Sequence, residues 1–248
     1  MSSRTTAYTE DQFSTLYPPG FELYFWNRFR AGKIRKLLKK LDAKKVLDVG
    51  CGSGHIVKNL REHDIDAYGC ELSASSKACS PEIAPYVMIG CDAVDVPVEI
   101  RENVDAIMLL DVLEHIEKPV DFLNKLTASF PNLQKILITV PAFMELWSPI
   151  SDEGHFRRYT RESLAEELNR CTNLEILRHG YFFHSLYPVK RLTRNTEDKA
   201  THRISPVEGL FARTVHFMAC AYFMVEDLLP GSVPGSSLYC TVKVRGDK

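Results

Sequence analysis

Short apolar runs and amphipathic stretches alternate along most of the chain. Val46, Leu47 and Val49 open the series, and the runs predict strands at 45–49, 66–70, 86–90, 104–110, 135–140 and 174–179. The stretches between them carry apolar residues at helical spacing. Phe25, Phe29, Leu37, Leu38 and Leu41 form one face of a helix over 21–41, with basic residues in its last turn. Further helices are predicted at 54–63, from Pro119 onward with Leu123, Leu126 and Phe130 on one side, and at 161–171. Such alternation points to an α/β fold with a parallel sheet covered on both faces. A final run at 238–244 predicts a seventh strand.

Several segments depart from that rhythm. Residues 1–20 are polar and end in Tyr17-Pro18-Pro19-Gly20, which predicts an arm and a turn. Pro141 stops the fifth strand, and 142–159 form a long loop rich in charge and aromatics, the kind of segment that carries function. Residues 187–203 are basic, with Lys190, Arg191, Arg194, Lys199 and Arg203 against Glu197 and Asp198, and have the character of an insertion. Ser205-Pro206-Val207-Glu208 has the form of a capping box opening a helix that runs to Pro230-Gly231. Phe211, Val215, Met218 and Tyr222 make a helical stripe expected to pack on the core.

The 248 residues suffice for one sizeable domain with a small cap. A formal net charge of -1 offers nucleic-acid phosphates little attraction, and no N-P-P-Y-type tetrapeptide for a flipped base is present, so no nucleic-acid partner is expected. The seven cysteines include no C-x-x-C pair, so the spacing calls for no metal. Their odd number, the polar start and the lack of an 18-residue apolar run lead us to expect a cytoplasmic protein without a membrane span.

The chemistry-bearing segments fall at predicted strand ends. Gly50-Cys51-Gly52-Ser53-Gly54 joins the first strand to a helix, where glycines let the chain turn and a ligand approach the backbone. Glu71 ends the second strand and can accept from ribose hydroxyls. Cys91-Asp92-Ala93 follows the third; Asp92 can accept from an adenine amine and the Ala93 amide can donate to a ring nitrogen. Asp111-Val112-Leu113-Glu114-His115 follows the fourth. In open α/β sheets, ligands bind at these carboxyl ends. A nicotinamide dinucleotide fits less well. The third glycine comes one residue early, His55 stands where the fingerprint needs a small residue, and Asp48 would repel a pyrophosphate but suits an ammonium or sulfonium.

In order, V-L-D-V-G-C-G-S-G at 46–54, Glu71, C-D-A at 91–93 and L-D-V-L-E-H-I at 110–116 resemble the class I S-adenosylmethionine-dependent methyltransferases. The resemblance implies a Rossmann-like, seven-stranded, mostly parallel sheet with an antiparallel last strand in a three-layer sandwich. It implies that Asp48 and the backbone of Gly50, Cys51, Gly52 and Gly54 hold the methionine part. Glu71 and Leu72 would hold the ribose, Asp92 and Ala93 the adenine, and Leu110, Asp111 and Val112 would line the cofactor. S-adenosylhomocysteine would be the product.

Two segments are similar to a small-molecule subgroup: Phe25-Trp26-Asn27-Arg28-Phe29-Arg30, and the G-H-x-R-x-Y-T segment Gly154–Thr160. We therefore expect residues 1–41 to be an arm and a closing helix, and 42–248 the methyltransferase domain, with a substrate or lid insertion at about 185–232. Trp26, Arg28, Phe143, Arg157, Arg158 and Tyr159 are the expected acceptor-binding residues; the two loop arginines suit a carboxylate or phosphate on the acceptor. His155 is the expected general base, set against a purely structural role in the loop. The expected reaction is direct transfer to an oxygen, or next a nitrogen, of a small or medium-sized metabolite. A non-catalytic cofactor-binding scaffold is the alternative, and a dehydrogenase a more distant one.

Overall fold

Strand-forming apolar runs and the turns between them give β1 (Lys45–Val49), β2 (Asp66–Glu71), β3 (Val87–Ile89), β4 (Ala106–Leu110), β5 (Lys135–Pro141), β6 (Leu174–Phe182) and β7 (Ser237–Val244). The computed structural model describes residues 20–148, 152, 154–193, 207 and 209–245. The polar arm, Arg194, Glu197, Asp198, Lys199 and Arg203 of the basic stretch, and Ser205, Pro206 and Glu208 of the capping box lie outside the described residues.

The strands form one sheet in the order β3-β2-β1-β4-β5-β7-β6. β1, β2, β3, β4 and β5 pair in parallel, while β7 runs antiparallel to both β5 and β6. β4 is buried along its whole length, as expected of a central strand with both faces covered. Its alternation assigns the faces. Ile107 and Leu109 join one core with Leu123, Leu126 and Phe130, and Ala106, Met108 and Leu110 join the other with Ile34, Leu38 and Leu60. The first face is covered by α4 (Pro119–Ser129) and α5 (Arg161–Asn169), following a short α3 (Val98–Arg101); the second by α1 (Phe25–Leu41) and α2 (His55–Arg61). The result is the Rossmann-like three-layer fold with an antiparallel last strand.

Local chemistry moves some boundaries from their predicted places. The predicted 21–41 helix begins as a one-turn 3-10 helix, Phe21–Leu23, and breaks at extended Tyr24 before α1 starts. A Thr160–Ser163 capping box starts α5. β6 runs on to Phe182, three residues past the expected end, because beyond the register shift between Ile176 and Arg178 it pairs with β7 as far as Ser237.

Among the described residues, the segment between β6 and β7 contains α6 (Leu186–Thr193) and α7 (Gly209–Glu226). α7 lies on α1: the Phe223 ring stacks on Phe25 at 5.2 Å, Lys33 pairs with Asp227, and Glu226 accepts from the backbone amides of His184 and Ser185. The predicted stripe is corrected here. Cys220 and Phe223 are buried, whereas Phe211, Val215, Met218 and Tyr222 are exposed. α7 is apolar almost all round, so periodicity alone could not choose its inward face.

Candidate active site

The carboxyl ends of β1, β2 and β4 open together beneath α1. Gly50 turns there at φ 75°, and a Cβ on it would sit 2.9 Å from Val112 Cγ2, so only glycine brings the loop this close to the end of β4. Amides of Gly50 and Cys51 both donate to the Cys70 carbonyl, at 2.8 and 3.1 Å. Glu71 ties the same loop to β2, accepting from the Gly52 amide at 2.9 Å and the Ser73 amide at 2.8 Å.

A cavity of about 1100 Å³ lies over the loop. Its floor includes Asp48, Gly50, Cys51, Ser53 and Leu110; its walls include Phe21 and His55 on one side and Phe217, Cys220 and Met224 of α7 on another. α1 contributes Asn27, Arg28, Arg30, Ala31 and Arg35, one face of the helix. Arg28 lies over the Phe217 ring, 5.6 Å from its centroid. Asp48 is 2% exposed, and its Oδ1 has no hydrogen-bond partner among the described residues. Burial pushes its carboxyl up to about 7, with Arg30 pulling it down and Glu71 adding to the rise.

Arg30 also closes the site from above. Its Nη2 lies 2.7 Å from Asp111 Oδ2 and donates to Thr139 Oγ1 at 3.1 Å; Thr139 in turn donates to Asp111 at 3.2 Å. Asp111 holds φ 59°, a backbone state that costs energy outside glycine and clusters at functional sites.

Of the residues expected at the cofactor, Asp48, Gly50, Cys51 and Leu110 line the cavity. Gly52, Gly54, Glu71, Leu72, Asp92, Ala93, Asp111 and Val112 are not among its lining. Gly54 caps α2 at φ 81° and packs against Val87. Leu72 is exposed, Asp92 accepts from the Val94 amide at 3.2 Å, and Ala93 is buried.

The expected acceptor residues separate into two groups. Arg28 lines the cavity, and Trp26 packs on Tyr24 and Phe25 beside it. The rest sit on or near the 142–160 loop. Phe143 stacks on Tyr181 at 4.8 Å, Arg157 bonds the Glu117 carbonyl and Glu167, and the Tyr159 hydroxyl donates to Glu167 at 2.7 Å. Arg158 is buried; it donates to both carboxylate oxygens of Asp152, at 2.7 and 3.0 Å, and to the Ala142 carbonyl. Burial would raise the Asp152 carboxyl, but hydrogen bonds from His155, Arg158 and the Ser148 amide outweigh it and hold the group well below the usual carboxylate range.

His155 donates through Nδ1 to Asp152 Oδ1 at 2.8 Å, and its ring meets His115 edge-on at 4.4 Å. Burial, then His155, depress His115 to about 4, so it is neutral at pH 7. Glu114 beside it is fully buried and is pushed well above the usual carboxylate range by burial and by Asp111.

Sequence reasoning passed over Arg30, Ser53, His55 and Phe21. For Arg30 a signal existed: it stands three residues after Asn27, on the face of α1 that meets the loop. Phe217, Cys220 and Met224 carried no signal, because a tertiary contact between α7 and α1 brings them to the site.

Solved structures share this fold. The plantazolicin methyltransferase BamL, in complex with a triazolic desmethylPZN analog and SAH, is 16% identical, covers 96% of each chain and has a TM-score of 0.53. The 4+2 cyclase SpnF is 18% identical over 99% of this chain and 100% of its own, at TM-score 0.54. A SAM dependent methyltransferase from Archaeoglobus fulgidus is 16% identical over 88% of this chain and 97% of its own, at TM-score 0.50. A search of curated proteins finds no match. The family model for the methyltransferase domain matches residues 26–179, more than half of the chain, and the chain belongs to that family.

Proposed function

We propose that the chain binds S-adenosylmethionine in the cavity over the glycine loop and transfers its methyl group to an oxygen, or next a nitrogen, of a small acceptor. The observation that carries this reading is the buried Asp48 oxygen without a partner among the described residues, on the floor of a cavity walled by a glycine turn. An orphaned buried acceptor is costly, and an amino-acid ammonium satisfies it with a charge-assisted hydrogen bond. A nicotinamide dinucleotide would set a phosphate against the same carboxylate.

S-adenosylmethionine supplies an electrophilic methyl group on a sulfonium: the carbon–sulfur bond breaks as the carbon–acceptor bond forms, and the acceptor's proton leaves to a base or to water. The protein's share is orientation and exclusion of water. Asp48 and the Gly50–Gly54 backbone would hold the methionine end. By the family resemblance, Glu71 and Leu72 would hold the ribose and Asp92 and Ala93 the adenine, although all four lie outside the cavity's lining. Arg30, bound to Asp111, keeps α1 closed over the β4 end. Phe217 and Met224 keep the cavity apolar on its outer side. His155, with Nδ1 committed to Asp152, carries the lone pair of its neutral ring on Nε2, the arrangement that a proton acceptor or a ligand requires.

Incubation of the protein and S-adenosylmethionine with pools of small hydroxylated and amino acceptors tests this reading. S-adenosylhomocysteine should accumulate in step with an acceptor heavier by one methylene. Binding without turnover across the pools supports the scaffold alternative, and preferential binding of NAD overturns the cofactor assignment.

A further inference from the structure

We propose that Glu114, His115 and His155 form a binding site for a divalent transition-metal ion just past the carboxyl end of β4, outside the lining of the cavity. Their ligand-capable atoms all lie within 4.8 Å of one another. Glu114 and His115 belong to the one-turn helix Leu113–His115 that follows β4. His155 comes from the loop after β5, and the Phe156 amide docks that loop on the Glu114 carbonyl at 2.8 Å. His155 stands 40 positions after His115, too far for ligand spacing to reveal the site.

Glu114 supplies an observation independent of the cluster. It is 0% exposed, and neither carboxylate oxygen has a hydrogen-bond partner among the described residues. Ionising a carboxyl buried in that state is costly; a cation bound by both it and the imidazoles offsets that cost.

The histidines are oriented for ligation. His155 Nδ1 meets Asp152 Oδ1 at 2.8 Å, and His115 Nδ1 meets the Gly154 carbonyl at 3.2 Å. Each acceptor requires the proton on Nδ1, which puts the lone pair of the neutral ring on Nε2. Carboxylate and carbonyl backing of this kind sets the tautomer of metal-bound histidines. Two nitrogens and one oxygen favour the Mn²⁺–Zn²⁺ series over Mg²⁺ or Ca²⁺, which prefer oxygen ligands throughout.

Three protein ligands leave coordination positions for an acceptor. The acceptor class that matches is a small molecule with adjacent oxygen donors, one of which is methylated after the cation has lowered its pKa. That acceptor class rests on the methyl-transfer reading; the ion site does not.

The test is a titration of chelator-treated full-length protein with Mn²⁺, followed by electron paramagnetic resonance, and with Zn²⁺, followed by calorimetry. One ion should bind per chain, and Glu114→Gln and His155→Gln should each weaken it by about tenfold or more while leaving circular dichroism unchanged. If Glu114→Gln fails to fold, His155→Gln carries the comparison. Absence of stoichiometric binding to the wild type, or wild-type affinity in the folded variants, overturns the proposal. S-adenosylhomocysteine binding is measured on the same samples. Its absence in the wild type overturns the methyl-transfer reading and leaves the ion result standing.

Discussion

Arg30 Nη2 lies 2.7 Å from Asp111 Oδ2, joining a helix outside the sheet to the carboxyl end of its central strand. Thr139 of β5 bonds both partners, so α1, β4 and β5 meet at one point beside the cavity. Both side chains are partly exposed, and the pair contributes little to stability by itself. Its effect is on the closed position of α1. Arg30→Ala should lower affinity for S-adenosylhomocysteine about tenfold with a change in Tm of only a few degrees, as read by calorimetry and thermal melting. Unchanged affinity would remove Arg30 from the site.

Asp48 makes a pH prediction. A carboxyl raised to about 7 by burial, against about 4 unfolded, binds more protons in the folded state across that window. Its ionisation therefore costs stability as pH rises from about 4 to about 7, and the full cost stands above that. Asp48→Asn should raise the apoprotein's Tm by about 5 °C or more at pH 8 and change it little at pH 4. Cofactor affinity should move the other way: it falls in Asp48→Asn, and in the wild type it improves as pH rises through about 7. A variant equally stabilised at both pH values would contradict this account of Asp48.

Arg158 and Asp152 have side chains 3% and 0% exposed. Removing one partner strands the other. Arg158→Ala should cost about 3–5 kcal/mol, seen as a Tm fall of roughly 10 °C. Cofactor affinity should hardly change. If instead stability holds and only acceptor KM rises, Arg158 binds substrate, as the sequence led us to expect.

Gly50→Ala should destabilise the fold by about 1–3 kcal/mol, since alanine must adopt φ 75° and meet Val112 at 2.9 Å. The double variant with Val112→Ala should recover the contact part and not the backbone part. Full recovery would show that only the contact matters.

Much of this fold was legible in the chain because its strands are short, apolar and separated by strong turn residues. The glycine loop was legible for the same reason, since it follows a recognisable strand; Glu71 and Asp92 also stand at strand ends, but neither lines the cavity. Other features depend on contacts distant in sequence. Arg157, Arg158 and Tyr159 read as acceptor groups, yet Glu167 and Asp152 engage all three. The inward face of α7 was hidden by its all-round apolar composition, and the cluster of Glu114, His115 and His155 by the 39 residues between His115 and His155.

The central claim is that the cavity over Gly50–Gly54 holds S-adenosylmethionine. Isothermal titration of the wild-type protein and Gly52→Arg with S-adenosylhomocysteine and with NAD tests it most directly. The account predicts one S-adenosylhomocysteine per wild-type chain, loss of that binding in a folded Gly52→Arg, and no NAD binding to either. Tight NAD binding, or S-adenosylhomocysteine binding that survives Gly52→Arg, would contradict it.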